Sequence, residues 1–258
     1  MRDKEAAYRE QRLSTILKQT IPIPEIYFIG EYDEYRFAII EYIPGMTLRD
    51  LLLGNELHDI GIIMHDVGIL LSKIQAHFFP SAGFFDKNLN IRPFQSGYMT
   101  FASTCLEHPI IIEQLGKEKI SKINFYLEKY KIFFPDESEN HLVHADFDPA
   151  NILIDRINGD WKITGVLDWE FSFAGSMLCD VANMLRYAHH MPALFEESFL
   201  QGLNEGGVPF PHDWQISIRI LNLVSLLDCL VQCDSKQKPN QCTDICTLIQ
   251  HIIHQLGK

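Results

Sequence analysis

Between Asn151 and Asp168 the chain carries two short apolar runs, I-L-I-D and W-K-I-T-G-V-L, joined through an Asn-Gly pair at 158–159. An Asn-Gly pair between strand-forming runs reverses the chain in two residues, so 151–155 and 161–167 are expected to pair as an antiparallel hairpin. Such a hairpin returns its outer ends to one place, which sets Asn151 beside Asp168. Just upstream, Leu142 and Val143 read as a short apolar strand. The loop from Asp146 to Ala150 follows, kept out of helix by Pro149, which fixes φ and removes a donor. Three oxygen-bearing side chains, Asp146, Asn151 and Asp168, are thereby expected to converge.

Convergent carboxylates repel one another and lose hydration unless a cation compensates them. Magnesium suits such a set, because it takes hard oxygen ligands from one or two carboxylates together with substrate phosphates. Each residue alone has a plainer reading. Asp146 could be a turn residue, Asn151 an Asx-turn and Asp168 a helix cap. Asp180, in the first turn of a helix with Val181, Leu185 and Ala188 on one face, reads by itself as a complement to the helix N-terminus.

The run H-A-D-F-D-P-A-N from His144 to Asn151, followed by D-W-E from Asp168, resembles the catalytic core of the aminoglycoside phosphotransferase family. These are small-molecule kinases with a protein-kinase-like fold. The family's loop reads H-G-D-x-x-x-x-N, so Ala145 stands where a Gly is usual, and the H-A-D-F variant resembles the hygromycin kinase branch. The Asp-to-Asn spacing equals that of the protein-kinase catalytic loop. The resemblance implies an α+β, two-lobe fold with a truncated N-terminal lobe over 1–43 and a large, mainly helical C-terminal lobe over 44–258. It places the catalytic loop at 144–151 and the metal-binding segment at 166–170. Asp146 would orient the acceptor hydroxyl and take its proton, Asn151 and Asp168 would bind Mg2+, and His144 and Asp180 would be scaffolding. ATP or GTP would be the co-substrate, and a small, cationic, aminoglycoside-like alcohol the acceptor.

From the start of the chain, 5–18 reads as a helix ended by I-P-I-P. Family resemblance puts at Glu10 the helix carboxylate that pairs with a Lys on the preceding strand. Lys4 is too close on the same helix to be that Lys, and no Gly-rich loop precedes it. Two readings therefore stand: a working kinase, or a kinase relic or binding module without the phosphate grip. The runs 26–30 and 36–42 form a second hairpin around 31–35, ending in E-Y-I-P-G. This resembles the hinge that receives adenine, with Glu41 and Ile43 offering backbone groups, Tyr42 between them and Ile40 at the back; the plainer reading is a strand and a Pro-Gly turn. A two-stranded sheet is marginal alone, so its edge is expected to be covered by a second copy or a neighbouring helix.

Further helices are expected at 47–53, 57–78, 117–133, 193–204, 214–232 and 243–256. In the resembled family the last of these line the acceptor pocket. Candidate acceptor-binding carboxylates are Asp148, Glu170 and Asp228, the last within an apolar helix where it would need a partner. Glu196 and Glu197 read as solvated, and His58, His65 and His77 as surface or satisfied core histidines. The formal charge is −12, which disfavours a nucleic-acid partner and suits a cationic small molecule. No apolar run nears about 20 residues, and the charged start differs from a signal peptide; a cytoplasmic protein without membrane contact is expected. Of six cysteines, 229, 233, 242 and 246 pair at i, i+4. Four thiolates could hold zinc, but apolar helical flanks favour buried free thiols over zinc knuckles or a disulfide.

Overall fold

The computed structural model describes residues 5–33, 35–54, 58–234 and 237–258. Lys4, Leu57 and Glu34, which figure in the expected helices and hairpin turn, lie outside them. In chain order the elements are α1 (Ala6–Leu17), β1 (Ile26–Tyr32), β2 (Tyr35–Ile40), β3 (Met46–Thr47), α2 (Leu48–Leu53), α3 (Ile60–Gln75), β4 (Gly83–Phe85), β5 (Ile91–Arg92), α4 (Tyr98–Leu106) and α5 (Pro109–Tyr130). Then come β6 (His141–Val143), β7 (Ile152–Ile157), β8 (Asp160–Val166), β9 (Phe173–Gly175), α6 (Leu178–Leu185), α7 (Ala193–Glu205), α8 (Trp214–Val231) and α9 (Pro239–Leu256). Two compact units emerge: one combines Met1–Pro93 with Ser138–Phe210, the other Phe94–Glu137 with Pro211–Lys258.

The first unit holds three small sheets. The hairpin predicted from the Asn-Gly pair forms as β7 against β8, with Asn158 and Gly159 both at positive φ (56° and 94°), as the two-residue turn requires. Strand β3 adds to β7, while β6 lies in a separate sheet of order β5-β4-β9-β6. The I-P-I-P segment that ends α1 docks on the hairpin, since Val166 N–H donates to Pro22 O at 2.7 Å. Buried Leu13 and Leu17 anchor the apolar stripe of α1.

Helices α3 and α7 meet through glycines. A Cβ placed on Gly68 would lie 2.2 Å from Phe199 O, and one on Gly202 would lie 2.1 Å from His65 O. The two backbones therefore touch, an approach that no larger residue permits. On the surface near this contact, His65 Nε2 lies 2.8 Å from Glu205 Oε2; elsewhere, His77 Nε2 lies 3.2 Å from Thr20 Oγ1.

Strands β1 and β2 form a sheet of their own. Gln11 Nε2 of α1 donates to Ile26 O, covering the start of β1. Strand β2 is exposed along its whole length, and Tyr27, Phe28, Tyr35, Phe37 and Ile39 are open to solvent. No other described strand pairs with either edge.

The second unit is helical, with α4, α5, α8 and α9 packed around Ile111, Leu115, Ile123, Leu227 and Ile249. Gly116, at φ 71°, breaks α5 just before the helix expected from residue 117. One sequence expectation, the state of two cysteines, is corrected here. Among the described residues α8 is long and apolar enough to cross a membrane, at 18 residues and mean hydropathy 1.4. Its burial accounts for that composition, because Ile220, Leu223, Leu227 and Leu230 are fully enclosed by the core of this unit. Cys233 and Cys242, expected as free thiols, are joined in a disulfide with Cα atoms 6.0 Å apart. The i, i+4 argument considered each helix alone, whereas Cys233 follows the end of α8 and Cys242 opens α9, so the bond closes the turn between them.

Candidate active site

The loop after β6 is built around buried polar groups. Asp180, fully buried at the start of α6, accepts from the backbone N–H of His144 through Oδ2 and of Ala145 through Oδ1, both at 2.9 Å. Burial pushes its carboxyl up to about 7, although the two N–H bonds pull the other way. His144 is also fully buried, its Nε2 2.9 Å from Leu167 O and its ring 4.5 Å from that of Trp169. Loss of hydration pushes its pKa down to about 4, so the ring is neutral and Nε2 carries the proton donated to the carbonyl. Two residues on, Asp146 N–H donates to His144 Nδ1 at 3.2 Å, which fits that tautomer.

These bonds hold Asp146 and Asn151 together. Asn151 Nδ2 donates to Asp146 O at 2.8 Å and to Asp146 Oδ2 at 2.9 Å. Asp148 shapes the loop between them, its Oδ1 accepting from Ala150 N–H at 2.7 Å as an Asx-turn. Burial, then the neighbouring Asp146, raises its pKa. The loop is tied outward by Arg49 N–H donating to Pro149 O at 2.9 Å, at the start of α2.

Asp168 arrives from the other side. Leu167 N–H donates to Asn151 O at 2.8 Å, so the segment carrying Asp168 is fixed to the first residue of the hairpin. Two non-glycine residues of this assembly adopt left-handed backbone, Ala145 at φ 71° and Asp168 at φ 62°. Asp tolerates that region, but Ala does so at a cost of about 1 kcal/mol, which the two N–H bonds to Asp180 offset.

Glu10 faces this assembly from α1. Burial raises its carboxyl to about 7, helped by the negative charges of Asp168 and Glu170, while Arg9 acts in the opposite direction. Its surroundings are thus carboxylates and an arginine from its own helix. Arg9, itself buried, donates to Phe85 O at 3.2 Å and to Glu170 O, fastening α1 to the segment after Asp168.

The expected hinge runs beside β8. Thr164 Oγ1 donates to Pro44 O at 3.3 Å, and a Cβ on Gly165 would lie 3.2 Å from Ile43 Cδ1, so the missing side chain lets Ile43 close on the strand. Glu41 N–H is committed to Glu25 O at 2.8 Å, leaving Glu41 its carbonyl to offer. Ile40 and Tyr42 are exposed. Asp228 belongs to the second unit, where Gln232 Nε2 donates to its Oδ2 at 3.0 Å and supplies the partner an apolar helix demands.

Sequence reasoning missed Arg9, Asn183 and Trp169. Asn183 Nδ2 donates to Ala145 O at 2.6 Å, so α6 holds the loop from two positions. Its i, i+3 relation to Asp180 was the available signal.

A family model described as a phosphotransferase enzyme family matches residues 2–214 of this chain. The chain belongs to that family. The phosphotransferase class expected from the sequence is thereby borne out. A crystal structure of the aminoglycoside phosphotransferase APH(4)-Ia is similar over 98% of this chain and 83% of its own, with 21% identity and a TM-score of 0.73. A thermostable mutant of the same protein, in a ternary complex with ADP and hygromycin B, is similar over 96% and 82%, with 21% identity and a TM-score of 0.72. The GDP and kanamycin complex of APH(2")-IIIa is similar over 97% and 83%, with 12% identity and a TM-score of 0.73. At such identities the likeness carries the fold, and the expected α+β, protein-kinase-like class is borne out. No curated protein matches the chain in a sequence comparison.

Proposed function

We propose that this phosphotransferase moves the γ-phosphate of ATP or GTP to a hydroxyl of a small cationic molecule, with magnesium bound. The observation that carries the reading is the junction of Asp146, Asn151 and the Asp168 segment through the 2.9 Å Asn151–Asp146 bond and the 2.8 Å Leu167–Asn151 bond. Asp146 aligns the acceptor hydroxyl and takes its proton as the oxygen attacks phosphorus in line, and Asn151 holds that carboxylate in place. Asn151 spends its amide nitrogen on Asp146, so its amide oxygen is the atom it would offer as a ligand. That oxygen and the Asp168 carboxylate are hard donors of the kind magnesium takes, and the crowding of Glu10, Asp168 and Glu170 supports a cation there. The ion would neutralise charge on the phosphate oxygens.

In this reading the residues 40–43 receive the base, Ile40 as its wall, Tyr42 beside it, Glu41 and Ile43 through backbone groups. Glu10 positions the metal segment, while His144 and Asp180 hold the loop. Asp148 and Glu170 are assigned to acceptor amines, in line with the −12 charge. APH(4)-Ia and APH(2")-IIIa, crystallised with hygromycin B and kanamycin, support an amino-sugar acceptor. The lobe boundary is placed after Ile43. The open β1–β2 sheet is assigned to a second copy of the chain, and light scattering that finds only monomer would remove that assignment. Residence is cytoplasmic; nucleic acid and membrane are not partners.

The test is calorimetric titration of magnesium-ATP and magnesium-GTP, followed by phosphoryl transfer to an amino-sugar panel. Micromolar binding that Asp168→Asn weakens about tenfold or more, with transfer lost in Asp146→Asn, is expected. Binding without transfer to any acceptor would favour the reading as a relic or binding module, and absence of binding would overturn the kinase assignment.

A further inference from the structure

One cavity in the first unit is lined by none of the residues assigned to phosphoryl transfer. It has a volume of about 690 Å³ and is lined by α1, the start of β1 and the turn at 87–88. This size falls within the range of small-molecule sites. The 100° step of a helix turns Tyr8, Arg12 and Thr15 away from Glu10, while Ser14 and Lys18 carry the cavity lining round toward the end of α1.

The chemistry of the lining differs from that of the molecule as a whole. Arg12, Lys18 and Lys87 meet there with one carboxylate, Glu25, in a chain of net charge −12. None of the three cations has an ion pair among the described residues. Asp86 and Glu5 are engaged elsewhere. Asp86 accepts from the N–H groups of Asn88 and Asn90 and from Asn90 Nδ2, and Glu5 pairs with Arg92 at 3.1 Å. Arg12 is braced, its Nε donating to Lys87 O at 3.0 Å, which directs the remaining guanidinium nitrogens away from that carbonyl. A guanidinium and two ammonium groups, offset by the Glu25 carboxylate, leave a net charge that matches a phosphate dianion. Tyr8 and Asn88 add hydrogen-bonding groups, and Ile26 adds apolar surface.

We propose that this cavity is a second binding site, taking a small phosphorylated molecule and lined by none of the residues of the phosphotransferase centre. The ligand's phosphate sits among Arg12, Lys18 and Lys87, and any sugar portion rests against Tyr8 and Ile26. Glu25 disfavours a bare carboxylate monoanion and leaves enough positive charge for a dianion.

Calorimetric titrations of the full chain, without magnesium, use inorganic pyrophosphate and ribose 5-phosphate as separate probes. Submillimolar binding of at least one is expected, weakened about tenfold or more in Arg12→Ala and in Lys87→Ala. Preference for ribose 5-phosphate identifies an organic phosphate, and preference for pyrophosphate an inorganic one. Magnesium-ADP affinity, measured on the same variants, should stay within about twofold, which separates this site from the nucleotide cleft. Arg12→Gln and Lys87→Gln repeat the test should either alanine variant lose its melting transition. Binding that the substitutions leave unchanged, or binding of neither probe, overturns the proposal.

Discussion

Gly61 and Gly68 lie on the same face of α3 two turns apart, yet the same substitution at each should shift stability in opposite directions. At Gly68 a Cβ would stand 2.2 Å from Phe199 O, 2.7 Å from Leu203 N and 3.0 Å from Gly202 Cα. All three are backbone atoms of α7, so no side chain can rotate aside, and the helices must part by about 1 Å to reach ordinary contact. A gap of that size forfeits a quarter to a half of each dispersion contact around the buried Phe195, Phe199 and Leu203. Overpacking of this kind costs about 3 kcal/mol, against about 1 kcal/mol regained from helix propensity. Gly68→Ala should therefore lose about 2 kcal/mol. At Gly61 the nearest atom to a new Cβ is the Ser198 hydroxyl at 3.3 Å, the free end of a side chain, followed by Leu194 Cδ1 at 3.9 Å. Gly61→Ala should gain about 0.5 kcal/mol from propensity alone. Urea unfolding of both variants, followed by far-ultraviolet circular dichroism, reads the two signs. If they moved together, or if Gly68→Ala lay within about 0.5 kcal/mol of the parent, the close backbone contact between α3 and α7 would be refuted.

Other expectations concern the loop that carries Asp146. Asp180→Ala removes an acceptor from two buried N–H groups and should cost about 3 kcal/mol, with turnover falling at least as steeply as in Asp180→Asn, which keeps one acceptor; unchanged urea midpoints would show that the bonds carry no weight. Ala145→Gly relieves a left-handed alanine worth about 1 kcal/mol and adds chain entropy to the unfolded state, so a net gain of about 0.5 kcal/mol is expected, and a loss of more than about 1 kcal/mol would contradict the strain argument. His144 has a folded pKa of about 4 against an ordinary value of 6.5. It therefore contributes stability that is present above pH 6.5 and lost as pH falls toward 4, about 3 kcal/mol in all. Asp180, raised to about 7, has the opposite slope, so the stability difference between parent and His144→Gln isolates the histidine; a difference independent of pH would refute its burial as the cause.

What could be read from the residues, and what could not, divides by the range of the interaction. The hairpin of β7 and β8 was legible because Asn158 and Gly159 dictate a local turn, and the junction of Asn151 with the segment leading to Asp168 followed from it. The positions of α1, α3 and α7 were legible from apolar periodicity, within a few residues at their ends. The glycines at 68 and 202 were not, since a glycine within a helical pattern announces only lost propensity until its neighbour is known. The Cys233–Cys242 bond escaped for a similar reason, because spacing within each helix does not tell how two helix ends approach. Arg9 looked like any charge on an amphipathic helix, although its side chain reaches backbone oxygens at 85 and 170.

The left-handed backbone at Ala145 and Asp168 links the fold to the proposed chemistry. Each sits immediately before or within the set of side chains assigned to phosphoryl transfer, and each departs from the backbone its neighbours prefer. A loop free to relax would move Asp146 and Asp168 apart. Relaxation at residue 145 is opposed by three bonds from α6: two N–H groups held by Asp180, and the Ala145 carbonyl held by Asn183. Relaxation at residue 168 is opposed on both sides, by Leu167 bonded to Asn151 and by buried Trp169, whose Nε1 donates to Val166 O at 3.0 Å. His144 joins the two halves, since its backbone belongs to the Asp180 network and its ring reaches Leu167 O and Trp169. Removing the His144 ring should therefore loosen both strained residues at once, and Asp146 and Asp168 with them, whereas Asn183→Ala should loosen only the Asp146 side. Comparing magnesium-nucleotide affinity with turnover separates these. The His144 variant should lose both, and the Asn183 variant should lose turnover while keeping affinity within about threefold.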